Sequence, residues 1–429
     1  MESKTFCAMP FIGIMLNTDT FIRFCCIASG PEAILRDENG KKLAVGTSSI
    51  EEAWNSESMV EVRRAMIEGK KVTACSHCYK QEDIGKTSFR EMMTNEWKHR
   101  LGESFYDYVQ EAVENDMKIK LPPVYLDLRL GNLCNLKCRM CNPFNSSQIA
   151  KEHFPLYEQD EGYKSVWTSE FGNNPIHLKE EEVVFDSNFL WNEIIGMIPK
   201  LQKVYMTGGE PTLIKNNYRF MEECVAAGYN DQIELFFNIN CTNVTDKFLD
   251  LVSKFKSIKI NCSIDGIGSV NDYIRSPSNW NKVDTNFRKL ASLSNVRLGM
   301  SPVIQVYNIL DCHNILEYAN QVSKEYNKSI SVDFLINDHP TYLDVTIIPL
   351  EIRKKGIENL LAFKQQNKIE DHITQNSING IVNLFGRPLR DNHKEIYQNF
   401  ITMTKALDKS RKENFTNSIP DLAKELNFE

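Results

Sequence analysis

The sequence is that of an α/β protein built on a parallel sheet. Short apolar runs alternate with helix-like stretches through the middle of the chain, and chemically suggestive residues fall just after several of those runs. Six runs carry the pattern: residues 124–131, 203–206, 233–238, 258–264, 296–306 and 330–336. Strands of this length separated by helices argue for repeated βα units, which bring functional residues to the C-terminal ends of the strands.

The chain has 429 residues, 42% of them hydrophobic and 25% charged, enough for a catalytic core with smaller attachments. A formal charge of −7 gives no general surface for a nucleic-acid backbone, so nucleic acid is not an expected partner. The apolar start carries Glu2, is broken at Pro10 and lacks a basic leader, so an export signal is not expected. Nothing approaches the roughly 20 apolar residues that cross a bilayer. No membrane partner is expected, and the twelve cysteines, grouped in pairs and triples, suit metal binding in a reducing, cytoplasmic setting.

From the N-terminus, Cys7 precedes a strand-like run over 12–16. A turn over 17–20 and a second run, 21–26, complete a hairpin with Cys7 at one outer end and Cys25-Cys26 at the other. Residues 49–54 have helix-start character. A helix-like stretch over 59–69 leads to Cys75-Ser76-His77-Cys78, and a polar helical linker follows over 86–120. Four cysteines from a hairpin and a distant Cys-x-x-Cys form a competent tetrathiolate site for zinc or a fully ligated iron–sulfur cluster, with zinc slightly favoured on chemistry alone. His77 reads as a solvent-side passenger.

The densest chemistry follows the run at 124–131: Cys134-x-x-x-Cys138-x-x-Cys141, with Met140 before the third cysteine. Soft thiolates select zinc or iron–sulfur clusters. A structural zinc wants four ligands, whereas a cubane held by three leaves one iron open. After the second run stands Gly208-Gly209-Glu210-Pro211, two glycines that permit close backbone approach and a carboxylate suited to an ammonium. The third run leads to Asn240-Cys241-Thr242-Asn243, the fourth to Ser263-Ile264-Asp265-Gly266 and then Arg275. Alone, Gly-Gly-Glu and Asp-Gly are turns; the succession of motifs at strand ends is what distinguishes them.

That succession resembles the radical S-adenosylmethionine (radical SAM) superfamily, which implies an open partial (β/α)6 TIM-like barrel. By resemblance Cys134, Cys138 and Cys141 bind a [4Fe-4S] cluster and Met140 packs near adenine. Gly208, Gly209 and Glu210 meet the amino group of SAM, Asn240 belongs to a cofactor-contacting Thr-Asn-Gly-Thr-like segment, and Ser263 and Asp265 lie near the ribose or substrate. Arg275 is placed to pair with the SAM carboxylate through its bidentate fork, and residues 303–308 come near adenine. Cys241 stands where that segment has glycine.

The order Cys7-x-x-Pro10-Phe11, Cys25-Cys26, Trp54-Asn55, Arg63 and Cys75-x-x-Cys78 resembles the auxiliary-cluster half-domain called twitch, related to the SPASM domain, and implies a second [4Fe-4S] cluster. Cys7, Cys25, Cys75 and Cys78 are the preferred ligands, with Cys26 as the substitute for Cys25. The glycine of the SPASM hairpin is not in its usual place. An N-terminal position resembles the N-terminal-twitch radical SAM proteins, as do the stretches 408–411 and 420–426. The implied division is a twitch-like module over 1–90, a helical linker over 91–120, the barrel core over 121–340 and a helical C-terminal region over 341–429.

The function implied is reductive cleavage of SAM to a 5′-deoxyadenosyl radical that abstracts hydrogen from a peptide or protein side chain, or in the alternative from a small molecule such as an amino-sugar or nucleotide. An electron donor such as flavodoxin or ferredoxin is implied as a partner. The rival of another class is a non-catalytic protein with zinc at both cysteine sites. Cys224, Cys262 and Cys312 read as buried small hydrophobes, as does Cys241. The acidic runs 158–162 and 180–184 read as solvated surface within an insertion over 142–200, an insertion placed to act as a lid or substrate-contact segment.

Overall fold

A computed structural model describes residues 3–172, 184–337 and 339–428. The architecture is α/β, with a mostly parallel sheet and many helices, in agreement with the class expected from the sequence. The chain forms two compact units. One comprises Met1–Asn132, Lys179–Phe237 and Asp246–Ile258, the other Leu133–Leu178, Asn238–Thr245 and Lys259–Glu429.

In the first unit, β1 (Gly13–Leu16) and β2 (Ile22–Arg23) form the expected antiparallel hairpin. β1 also runs parallel to β3 (Tyr125–Leu128), Met15 standing opposite Asp127, so the hairpin extends the sheet. Then come β4 (Lys203–Met206) and β5 (Glu234–Ile239), again parallel, with Asp127, Tyr205 and Phe236 in one row. Leu126, Leu128, Val204, Met206, Leu235 and Phe237 are fully buried, each contributing roughly 1.5–3 kcal/mol by burial.

The N-terminal ends of these strands are closed by charge. Lys203, 2% exposed, reaches Glu96 at 2.6 Å and Glu234 at 3.4 Å, and Arg100 reaches the same carboxylates at 3.2 and 3.1 Å. Two cations matched to two anions satisfy the desolvated charges.

Around the hairpin, Ser49 caps the short helix Ile50–Trp54, and Ser88 with Glu91 forms a capping box on Phe89–Leu101. The linker stretch is two helices, Phe89–Leu101 and Ser104–Glu114. Arg63, on the helix Glu57–Ile67, is fully buried and donates to the carbonyls of Pro10, Trp54 and Met117 and to Asn55 Oδ1.

The second unit holds β6 (Ile258–Cys262, of which Ile258 belongs to the first), β7 (Val296–Met300) and β9 (Ile330–Val332), with β7 and β9 parallel. The expected fifth and sixth strands are each broken in two: β8 (Val303–Ile304) follows Pro302, and β10 (Leu335–Ile336) pairs with β8. Proline cannot donate to a ladder, which accounts for the first break. Within the insertion stand the helices Ser147–Gln159 and Glu161–Phe171. Residues 180–183 of the second acidic run lie outside the described residues. The C-terminal region is helical as expected, chiefly Leu350–Gln366, His372–Phe385 and His393–Arg411.

Candidate metal centres

Cys134, Cys138 and Cys141 lie on the irregular segment that opens the second unit. Every turn of it is tied down. Ser146 Oγ donates to Leu136 O at 2.7 Å, Cys141 N to Cys138 O at 3.0 Å, and the amides of Lys137 and Arg139 donate to Ser276 O and Ile274 O at 2.5 and 2.9 Å. Asn240 Nδ2 donates to Asn135 Oδ1 at 2.9 Å, while Thr242 Oγ1 takes a bond from Asn135 Nδ2 at 2.8 Å. Asn240 thus touches the cysteine loop directly.

Cys141 senses the other two thiols. Burial and the neighbouring Cys138 and Cys134 push the Cys141 thiol up; burial does the same to Cys138, and the Arg275 guanidinium opposes it. Three thiols on one short loop are a donor set that an iron–sulfur cluster can use. Among the described residues no three His, Cys, Asp or Glu side chains converge on one point that would seat a single metal ion. Cubane thiolates bind separate irons and need no such point.

Arg275, 7% exposed, places Nη1 3.7 Å from Cys138 Sγ and Nε 2.7 Å from Asp265 Oδ2. Met140 and Ser263 are half-buried, and Asp265 is fully buried. Cys241 adopts φ +63°, the left-handed conformation for which glycine is suited, and its Sγ lies 3.6 Å from that of Cys262.

Reading the sequence alone misses the charged frame of this loop. Arg139, between the second and third cysteines, is 2% exposed. It bonds Asp408 at 2.6 Å, Glu413 at 2.7 Å and Tyr273 O at 3.0 Å, with its guanidinium 3.6 Å from the Tyr273 ring. On the other side of Cys138, Lys137 pairs with Glu152 at 2.9 Å, and Arg411 completes that pair at 2.7 Å. The charged residues on either side of Cys138 were the available signal; their partners were not.

In the first unit the Gly-Gly-Glu motif follows β4. Gly208 has φ +115°, and a Cβ there would stand 2.8 Å from Gly131 O, so these glycines let two backbone segments meet. Glu210, 1% exposed, accepts from Thr212 N at 3.1 Å and Thr212 Oγ1 at 2.6 Å. The carboxylate is held in one orientation.

A second group of thiols also belongs to the first unit. Cys7, Cys25, Cys75 and Cys78 line one pocket with Pro10, Phe24, Met66 and Arg90. Cys26 is not among its walls: its thiol bonds to Cys25 and senses Asp127 and Arg129 instead. Burial, with help from Cys25, pushes Cys78 up to about 12, and Cys7 and Cys75 rise for the same reasons. Four thiols in one small pocket, three of them on buried residues, fit a metal cluster as its donor set. His77 is not part of that wall.

Residues 128–319 match the model of the Radical SAM superfamily. The matched stretch, less than half of the chain, spans the cysteine triple, the Gly-Gly-Glu turn and the Asp265–Arg275 pair. No curated protein matches the sequence. Among solved structures, native anSMEcpe with bound AdoMet is similar at 15% identity and a TM-score of 0.37, over 56% of this chain and 60% of that one; the chain thus spans less than two thirds of its length. Streptococcus suis SuiB is similar at 13% identity and a TM-score of 0.38, over 86% of this chain and 70% of its own, and a further structure of it holds the precursor peptide SuiA. No helix among the described residues is long and apolar enough to cross a membrane.

Proposed function

We propose that the protein is a radical SAM enzyme that cleaves S-adenosylmethionine reductively and uses the resulting radical to abstract hydrogen from a substrate. The observation that carries this reading is the radical SAM match over 128–319, within which three thiols lie on one braced loop. Cys134, Cys138 and Cys141 would hold a [4Fe-4S] cluster. What such a cluster supplies when bound is one electron to the SAM sulfonium, so that the S–C5′ bond parts into methionine and a 5′-deoxyadenosyl radical.

The chain's own residues have separable duties in this reading. Glu210, oriented by Thr212, would accept from the SAM ammonium, and Met140 would pack near the adenine. Ser263 would lie near ribose or substrate, while Asn240 steadies the loop through Asn135. Cys7, Cys25, Cys75 and Cys78 would hold an auxiliary cluster, their shared pocket supporting Cys25 over Cys26. The substrate class we assign is a peptide or protein side chain, on the resemblance of the N-terminal cysteine pattern to twitch and SPASM enzymes, and flavodoxin or ferredoxin is the class of electron donor.

The test is 5′-deoxyadenosine formation by anaerobically reconstituted protein with a strong reductant, comparing wild type with Cys138→Ala. Product that disappears in the variant supports radical initiation at this loop. Colourless protein containing zinc in place of iron and sulfide would overturn it. Stimulation by peptide candidates supports the substrate class; turnover of a small metabolite with no response to peptides would replace it.

A further inference from the structure

Arg275 is the one cation within hydrogen-bonding distance of a candidate cluster sulfur among the described contacts, and the contact is built rather than incidental. The residue follows the helix Ser269–Ile274, and its amide donates to Asn271 O at 2.8 Å. Its Nε is held 2.7 Å from Asp265 Oδ2, which aims Nη1 at Cys138 Sγ, 3.7 Å away. Asp265 is fixed in turn. Oδ1 accepts from Val303 N at 2.7 Å, its amide donates to Asn271 Oδ1 at 3.1 Å, and its carbonyl accepts from Asn308 Nδ2 at 2.9 Å. Neither side chain has solvent to fall back on, Asp265 being 0% and Arg275 7% exposed.

A guanidinium committed to a carboxylate and a sulfur is badly placed to give its fork to a ligand carboxylate, the duty the family resemblance implies. The geometry points to a different one. We propose that Arg275 sets the reduction potential of a cluster held by Cys134, Cys138 and Cys141, its N–H···S bond and charge favouring the reduced state, while Asp265 orients it and partly cancels that charge. This rests on the radical SAM reading above. Reduction adds one electron to a group already bearing thiolate charge, so a cation against one ligand sulfur lowers the cost and raises the potential; hydrogen bonds to ligand sulfurs act in the same direction. Arg275 is therefore a positioning residue that acts through Cys138.

The experiment is an EPR-monitored titration with dithionite of full-length reconstituted wild type, Arg275→Gln, Arg275→Lys and Asp265→Asn, following the part of the signal that changes when SAM is added. Arg275→Gln is expected to shift the midpoint to more negative potential, Arg275→Lys to stay nearer wild type, and Asp265→Asn to shift it the opposite way. Opposite signs are the signature, since a merely structural pair would lose iron from both variants without moving the midpoint of what remains. An unmoved midpoint in Arg275→Gln, or shifts of the same sign in Arg275→Gln and Asp265→Asn, would overturn the proposal. Should Arg275→Gln fail to retain iron, Asp265→Asn decides alone, and a midpoint that does not rise counts against us. Wild type without iron and sulfide would overturn the cluster reading and this inference together; loaded wild type with unmoved variants overturns only the inference.

Discussion

Arg63 makes no ion pair among the described residues, yet it is fully buried; its charge is dispersed over four oxygen acceptors and the face of Trp54, 4.4 Å away, and burial, opposed by Glu111, draws its pKa down to about 9. Removing it strands several buried carbonyls at once, each worth roughly 1–3 kcal/mol. Arg63→Ala should therefore lower unfolding stability by about 3 kcal/mol or more, and Arg63→Lys should recover less than half, because an ammonium cannot reproduce the planar fork. Denaturant unfolding checks both, and a fully rescuing lysine would show that charge alone suffices. Cys241 makes the complementary case. Its position stood out in the sequence because glycine is usual there, and the backbone obliges with φ +63°. Cys241→Gly should stay within about 1 kcal/mol of wild type, while Cys241→Val should cost roughly 2 kcal/mol or more, since a branched Cβ suits that region poorly. Equal thermal midpoints for the two would refute the argument. At this scale the sequence was legible where a residue type was out of keeping with its motif, as Cys241 was. It was silent about Arg63's acceptors, which are backbone groups whose positions no residue name encodes.

Individual elements carry a longer-range lesson. The cysteine loop is braced by the far end of the chain, with Arg139 bonded to Asp408 and Glu413 across separations of 269 and 274 residues. Local pattern marked 341–429 as helical but not what the end of the helix His393–Arg411 and the residues just after it hold, because ion pairs between distant segments are fixed only when the fold brings them together. Arg139→Met should cost about 3 kcal/mol or more, chiefly by leaving two largely buried carboxylates unmatched, and should hasten both proteolysis and iron loss at the loop. Asp408→Asn with Glu413→Gln in the same chain should restore part of that loss. A helix pair in the insertion should respond to acid. His153, its ring tilted against Trp167 at a centroid distance of 4.1 Å and bonded to Tyr163 Oη at 3.1 Å, has its pKa lowered by burial to about 4. The unfolded chain takes up the proton first, so the stability this neutral imidazole contributes is present above about pH 6.5 and drains away as pH falls towards 4. Replacing His153 with Phe should flatten stability over that window; an unchanged pH profile would assign the acid sensitivity elsewhere.

For the whole molecule, the parallel α/β architecture was readable because buried parallel strands are short apolar runs with helices between, and that pattern survives without knowledge of contacts. Where it failed, the cause was local chemistry: Pro302 divides one expected strand, and the run over 330–336 is interrupted between Val332 and Leu335. The two cysteine sets were legible for the same reason, as clusters of one soft donor, but the choice between Cys25 and Cys26 needed the fold, which puts Cys25 alone of the pair on the wall shared with Cys7, Cys75 and Cys78. Because each set lies within its own compact unit, each should load without the other. Cys75→Ser with Cys78→Ser should cut iron and sulfide by about half and leave the SAM-responsive EPR signal in place; Cys138→Ala should remove that signal and leave the other half. Cys26→Ser should keep the full iron content, whereas Cys25→Ser should behave like the double variant. If Cys26→Ser loses iron and Cys25→Ser does not, the adjacent thiols exchange roles on loading; if the double variant loses no iron, the pocket around Cys7 holds no cluster.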